Sequence, residues 1–150
     1  MAGSREFKKI VVGVDGSEES VEALRQAQTL AEPLGAQLEA VTCWEFPQLY
    51  DGYVTMQAED FRDSAGKVQE DTLSRAFGSE IPRNLVARLA QGNPKSALAD
   101  ASRHADLLIL GRRGHGALAG QLFGSVSSSL VAHSACPVLV VHRPEPDGKD

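Results

Sequence analysis

The chain has 150 residues, of which 42% are hydrophobic and 23% charged, enough for one domain with its own core and unlike a disordered chain. Its net charge of -5 gives no general attraction to nucleic acid or anionic membrane, and no apolar run approaches the roughly 20 residues of a membrane span. Residues 1–9 carry Arg5, Glu6, Lys8 and Lys9 and no apolar h-region, so a cytoplasmic location is expected. The whole chain, 1–150, reads as a single domain with a core from about 7 to 142 and a flexible acidic tail over 143–150.

Lys9 to Val14 is nearly all apolar, the pattern of a strand covered on both faces. Asp15-Gly16-Ser17 interrupts it, and Ser17 suits the cap of a helix with Glu18 and Glu19 in its first turn. Val21, Leu24, Ala27, Ala31 and Leu34 repeat at helical spacing up to Gly35, with Pro33 expected to disturb the last turn. Gln37 to Trp44 is a second strand, and Glu45 to Thr55 a loop rich in aromatics. Phe61, Ala65, Val68, Thr72 and Ala76 mark a second helix that stops at Gly78. Leu85 to Ala90 is the third strand. Asn93-Pro94 opens a third helix with Ala97, Leu98, Ala101 and Ala105 on one face. Leu107 to Leu110 is a fourth strand, Ser125 to His133 a fourth helix, and Pro137 to Val141 a fifth strand. Alternating strands and helices predict an α/β fold, an open parallel sheet with right-handed crossovers. Such sheets bind ligands beyond the carboxyl ends of their strands, where strand order reverses.

Two stretches carry chemistry at such ends. Gly111-Arg112-Arg113-Gly114, nine further residues and then Gly124-Ser125 join the fourth strand to the fourth helix. Glycines let backbone N–H groups approach an anion, and the helix start adds unpaired donors and a positive dipole end. The opposite end is acidic: Asp15, Glu18 and Glu19 repel phosphate, but a carboxylate there can accept hydrogen bonds from ribose hydroxyls. Asp15 also fits a plain helix-initiating turn. One acidic end and one basic, glycine-rich end suit the two ends of a nucleotide.

Other motifs fail on particular residues. There is no G-x-x-x-x-G-K-[ST] loop. Gly114-His115-Gly116-Ala117-Leu118-Ala119 matches the dinucleotide pattern, but no acid follows at the end of the next strand. Ser125, Ser127, Ser128 and Ser129 have no G-x-S-x-G elbow around them and read as a cap and a polar helix face. The four histidines show no metal-ligand spacing, so no side-chain metal site is expected. Cys43 and Cys136 read as inert thiols.

Val11-Val12-Gly13-Val14-Asp15-Gly16-Ser17 resembles the opening of the universal stress proteins. Gly111-x2-Gly114-x9-Gly124-Ser125 resembles the signature of their ATP-binding branch, and Cys136-Pro137-Val138-Leu139-Val140-Val141 their closing strand. The resemblance covers roughly residues 7–142 and implies a five-stranded parallel sheet of order 3-2-1-4-5, a Rossmann-like fold with helices on both faces. It implies ATP, with Mg carried through the phosphates, in contact with Gly13, Asp15, Cys43, Leu110, Gly111, Arg113, Gly114, Gly124, Ser125, Val126 and Ser127. Asp15 would serve the ribose and adenine end, and backbone near Cys43 the adenine edge. Arg112 departs from the small hydroxyl residue often found at its position. The loop Trp44 to Tyr53 would either cover the base or pack on its own aromatics. A homodimer through residues 137–141 is implied as well.

The expected function is a regulatory or assembly switch in stress response rather than an enzyme. The alternatives are an ATP-dependent phospho- or nucleotidyltransferase or a slow ATPase, and a module that has lost its nucleotide. Neither H-x-G-H nor S-G-G-x-D-S occurs, and only Gln121 and His115 offer a group to orient or activate water.

Overall fold

In a computed structural model that describes residues 6–46, 57–112 and 123–143, five strands alternate with four helices. They are β1 (Lys9–Gly13), α1 (Glu18–Leu34), β2 (Gln37–Trp44), α2 (Ala58–Phe77), β3 (Leu85–Gln91), α3 (Pro94–Ser102), β4 (Leu107–Gly111), α4 (Ser125–His133) and β5 (Val138–Val141). All neighbouring strands run parallel in the order β3-β2-β1-β4-β5. Strand order therefore reverses between β1 and β4, which lie side by side through pairs such as Val12 with Ile109.

Local chemistry sets the boundaries. Ser17 caps α1 by accepting from the Ser20 N–H at 3.1 Å, and Gly35 closes it at φ +63. Ala36 N–H returns to Ala31 and Gly35 N–H to Glu32, satisfying carbonyls the helix end would leave bare. Pro33 sits inside the final turn without ending the helix before Leu34. On α2 the Asp60 carboxylate accepts from Gln57 N–H, so the helix starts a turn earlier than its apolar face. On α3 Asn93 caps the Lys95 N–H. This helix stops at Ser102, short of the apolar pattern, because Arg103, His104 and Ala105 tighten into bonds to the third residue back.

Side chains alternate into two cores. Ile10, Val12, Leu38, Ala40 and Ile109 meet Ala23, Leu24, Ala27 and Ala31 of α1 and Leu73 of α2. On the other face Val11, Val41, Leu108 and Leu110 meet Leu98 and Ala101 of α3 and Leu130 of α4. Leu24, Leu38 and Leu130 are completely enclosed, each contributing about 1.5–3 kcal/mol.

The β3 edge is defended by charge. Glu39, 8% exposed on β2, is held by Lys9 of β1 at 3.3 Å and Arg88 of β3 at 3.0 Å. Among the described residues, no helix is long and apolar enough to cross a membrane.

Candidate functional site

The ends of β1 and β4 open onto the reversal point. Beyond Gly13, Val14 N–H still bonds Val41 at 2.9 Å, and the chain then turns at Gly16, φ +85. Asp15 is exposed, and its Oδ1 accepts from the Ser17 N–H at 3.0 Å and the Ser17 hydroxyl at 2.5 Å. It therefore does fill the turn-forming role, while its carboxylate stays at the surface of the crevice.

The other two acids are committed elsewhere. Glu18 pairs with Arg75 of α2, which also bonds Asp71 and the Gly16 carbonyl. Glu19 is 7% exposed, and its Oε2 accepts from the Arg143 N–H at 3.0 Å, tying the exit of β5 to the first turn of α1. No sequence signal marks Glu19 as buried; it reads as one more acid in a helix's first turn.

At the end of β4 the glycines have packing reasons. A Cβ on Gly111 would lie 2.7 Å from Glu19 Cβ and 3.0 Å from its carbonyl carbon. A Cβ on Gly13 would meet Leu110 Cδ2 at 2.8 Å. The Leu110 side chain is itself buried in the second core.

Beyond Gly111, Arg112 N–H bonds Val141 at 2.6 Å, and its carbonyl accepts from Gly124 N–H at 2.8 Å. The two roots of the connecting loop are thus pinned together beside β5. Ser127 is buried and donates its hydroxyl to the Gly111 carbonyl at 2.6 Å, locking α4 onto β4. Gly124 caps α4 with no side chain, so this helix lacks the side-chain partner that Ser17, Asp60 and Asn93 supply to the other three. Its first-turn donors face the crevice end of the fold. Ser125 is exposed at the first helical position, and Val126 packs against the second core. Arg113, Gly114, His115 and Gln121 lie outside the described residues.

On β2, Cys43 pairs in register with Ala90, and Gly92 N–H bonds Trp44 at 2.8 Å. Burial pushes the Cys43 thiol up to about 11, with Arg88 pulling the other way and Glu45 adding to the rise. Near pH 7 the thiol therefore stays protonated. Alkylation of Cys43 in the folded protein is therefore expected to be slow at neutral pH and to accelerate up to about pH 11; stopped-flow or mass-resolved labelling reads this directly. Rapid labelling at pH 7 would contradict the placement of this thiol.

Trp44 is half-buried, and the exposed Phe46 sets its ring edge-on to Phe61 of α2 at 5.5 Å. This part of the loop packs on an aromatic; residues 47–56 lie outside the described residues. A separate cleft of about 570 Å³ along α1, lined by Glu18, Val21, Glu22, Arg25, Arg75 and Arg143, includes none of the residues expected at the site.

The model of the universal stress protein family matches residues 6–142. The chain belongs to the universal stress protein family. A universal stress protein of Thermus aquaticus is 34% identical over 139 residues, covering 90% of this chain and 98% of the relative. One from Mycobacterium tuberculosis is 31% identical over 152 residues, covering 95% of this chain and 50% of the relative. The chain thus spans about half the length of these mycobacterial relatives. Among solved structures, a universal stress protein in complex with cAMP is 29% identical, with a TM-score of 0.70 over 93% of this chain and all of that one. The universal stress protein UspA from Lactobacillus plantarum shares the fold, at a TM-score of 0.71 and 23% identity over 92% of this chain and 99% of that one.

Proposed function

We propose that this universal stress protein binds ATP at the carboxyl ends of β1 and β4 and uses the bound nucleotide as a regulatory or assembly switch. The observation that carries the reading is the convergence at the strand-order reversal. Asp15 stands on one side, and the pinned loop roots Arg112 and Gly124, with the uncapped start of α4, stand on the other. Asp15 would accept from the ribose, backbone near Cys43 would read the adenine edge, and Gly111, Gly114, Gly124, Ser125 and Val126 would surround ribose and phosphates. Arg113 would add positive charge, with Mg entering on the phosphates. Ser127 would act through Gly111, since its hydroxyl proton is already committed there. The cAMP complex of a relative with 29% identity supports an adenine nucleotide in this fold. Native mass spectrometry of the purified protein tests the reading: a co-purifying adenine nucleotide that exchanges with added ATP is expected, and failure to take up ATP would overturn it.

The nucleotide is held rather than turned over in this reading. Asp15, the carboxylate at the crevice, is assigned to the ribose end in this reading, away from the phosphates, and binding without preferential stabilisation of the transition state gives retention. With excess Mg-ATP, phosphate release well below one per second is expected. Sustained turnover at about that rate, lost in Gln121→Ala or His115→Ala, would mean that the protein is an ATPase.

A homodimer through residues 137–141 fits the same scheme. β5 is the edge strand beyond β4, its residues Val138, Leu139 and Val140 are half-buried, and Val131 on α4 is 53% exposed. Leu139 packs into the first core and Val138 against the second, whereas Val140 joins neither. Val140→Lys is therefore expected to give a folded monomer where the parent protein is a dimer by light scattering. A parent monomer at high micromolar concentration would sink the dimer.

A further inference from the structure

Glu19 joins two parts of the fold that lie 124 residues apart in sequence. Its Oε2 accepts from the Arg143 N–H at 3.0 Å, and the residue is 7% exposed. The proposed nucleotide contacts make no use of this carboxylate. Its backbone is set hard against β4: a Cβ on Gly111 would lie 2.7 Å from Glu19 Cβ and 3.2 Å from the Glu19 carbonyl oxygen.

Glu19 also belongs to the turn that Asp15 builds. Asp15 accepts from the Ser17 N–H and hydroxyl, and the Ser17 carbonyl accepts from the Ser20 N–H, the Ser20 hydroxyl and the Val21 N–H. Asp15 to Val21 is therefore one bonded unit, and a shift of Asp15 carries Glu19 with it. At the far end of the bond, Arg143 follows β5 by two residues, and Val141 accepts from the Arg112 N–H at 2.6 Å. The exit of β5 is held by β4 through Val141 and by α1 through Glu19. Among the described residues, the other polar side-chain contacts of α1 stay within α1 or reach Ser17 and α2. Glu19 is the side chain that carries a hydrogen bond from this helix to the end of the edge strand.

We infer that Glu19 is a positioning residue that couples nucleotide at Asp15 to the exit of β5. The inference rests on the nucleotide-binding reading above and names how occupancy of that site reaches the edge strand. Nucleotide bonded to Asp15 favours the arrangement in which the turn is ordered and Glu19 meets Arg143, so it stabilises the closed bond against the open one. Coupling of this kind is reciprocal. The factor by which ATP suppresses opening at Arg143 equals the factor by which loss of the bond weakens ATP. A factor of about 10 is expected, at the lower end of what one hydrogen bond to a carboxylate contributes.

Amide exchange at Arg143 with and without saturating ATP tests this, together with calorimetry of ATP binding and thermal unfolding, in the parent protein, Glu19→Ala and Glu19→Gln. ATP should slow Arg143 exchange about 10-fold in the parent. In Glu19→Ala that slowing should vanish while ATP still slows exchange at residues 13–17, and ATP should bind about 10-fold more weakly. Glu19→Gln keeps an acceptor oxygen but loses the charge-assisted bond, so its ATP affinity and its slowing at Arg143 should both fall between the other two. A lower unfolding temperature in Glu19→Ala, with parental ATP affinity and parental slowing at Arg143, would make Glu19 a structural residue and overturn the inference. If Glu19→Ala does not fold, Glu19→Gln decides: parental affinity and parental slowing in it would overturn the inference too. Exchange at Arg143 that ignores ATP in a parent protein protected at residues 13–17 refutes the coupling and leaves the nucleotide site standing. A parent protein that binds no ATP refutes both.

Discussion

Asp15→Ala should weaken ATP binding roughly 10- to 100-fold, the effect of removing a charged acceptor worth on the order of 1.5–3 kcal/mol. Its Oδ1 already accepts two bonds from Ser17, but the residue is exposed at the crevice and a carboxylate oxygen has capacity for more. The substitution also loosens the turn that starts α1, so Ser17→Ala is the matched control. It breaks the hydroxyl bond to Asp15 and the cap of Ser20 while leaving the carboxylate and the Ser17 N–H bond to it in place. A modest loss of stability is expected from both variants, and a large loss of affinity only from Asp15→Ala. Gly124→Val belongs to the same test. Gly124 adopts φ -72, which any residue can take, so a folded variant with a branched side chain at the α4 cap should bind ATP poorly. Calorimetry that finds unchanged affinity in a folded Asp15→Ala or Gly124→Val would refute this placement of the nucleotide.

Gly111→Val should act on the fold instead. The added Cβ would come within 3.0 Å of backbone in the first turn of α1 and within 2.7 Å of Glu19 Cβ. Backbone cannot swing aside as a flexible side chain can. Overpacking of this kind costs about 2–3 kcal/mol, or roughly 5–10 °C in Tm for a chain of this size. It would also strain the Glu19 bond to Arg143 and the Ser127 bond to Gly111, which join α1, α4 and β5 around this point. A Gly111→Val protein with parental Tm in a calorimetric scan would show that α1 does not rest on β4 as described.

Gly111 and Gly13 explain why part of the site was readable in the sequence and part was not. A pattern of glycines says that close approach is needed, but not by what. At Gly111 the approaching group is the protein's own helix, and at Gly13 it is Leu110 and Leu98. The strands and helices were legible because apolar periodicity and caps agree. Gln37–Trp44 and Ser125–His133 match to the residue, and Ser17, Gly35 and Asn93 mark real boundaries. β5 begins at Val138 rather than Pro137, since proline has no N–H to give to the ladder. The strand order came from family resemblance, because periodicity does not say which strands pair. Contacts between residues distant in sequence stayed hidden: Glu39 with Lys9 and Arg88, and Glu19 with Arg143. Each depends on where two elements meet, and no single stretch of sequence records that.

Amide hydrogen exchange with and without saturating ATP tests the central claim most directly, because it reads the place of binding as well as the fact of it. Bound nucleotide should slow exchange at residues 13–17, at Gly111 and Arg112, and at the start of α4 from Gly124 to Ser127, while α2 and the β3 edge remain unchanged. Protection confined to the cleft along α1 or to the β3 edge, or no protection at all with ATP in excess, would contradict a nucleotide site at the ends of β1 and β4.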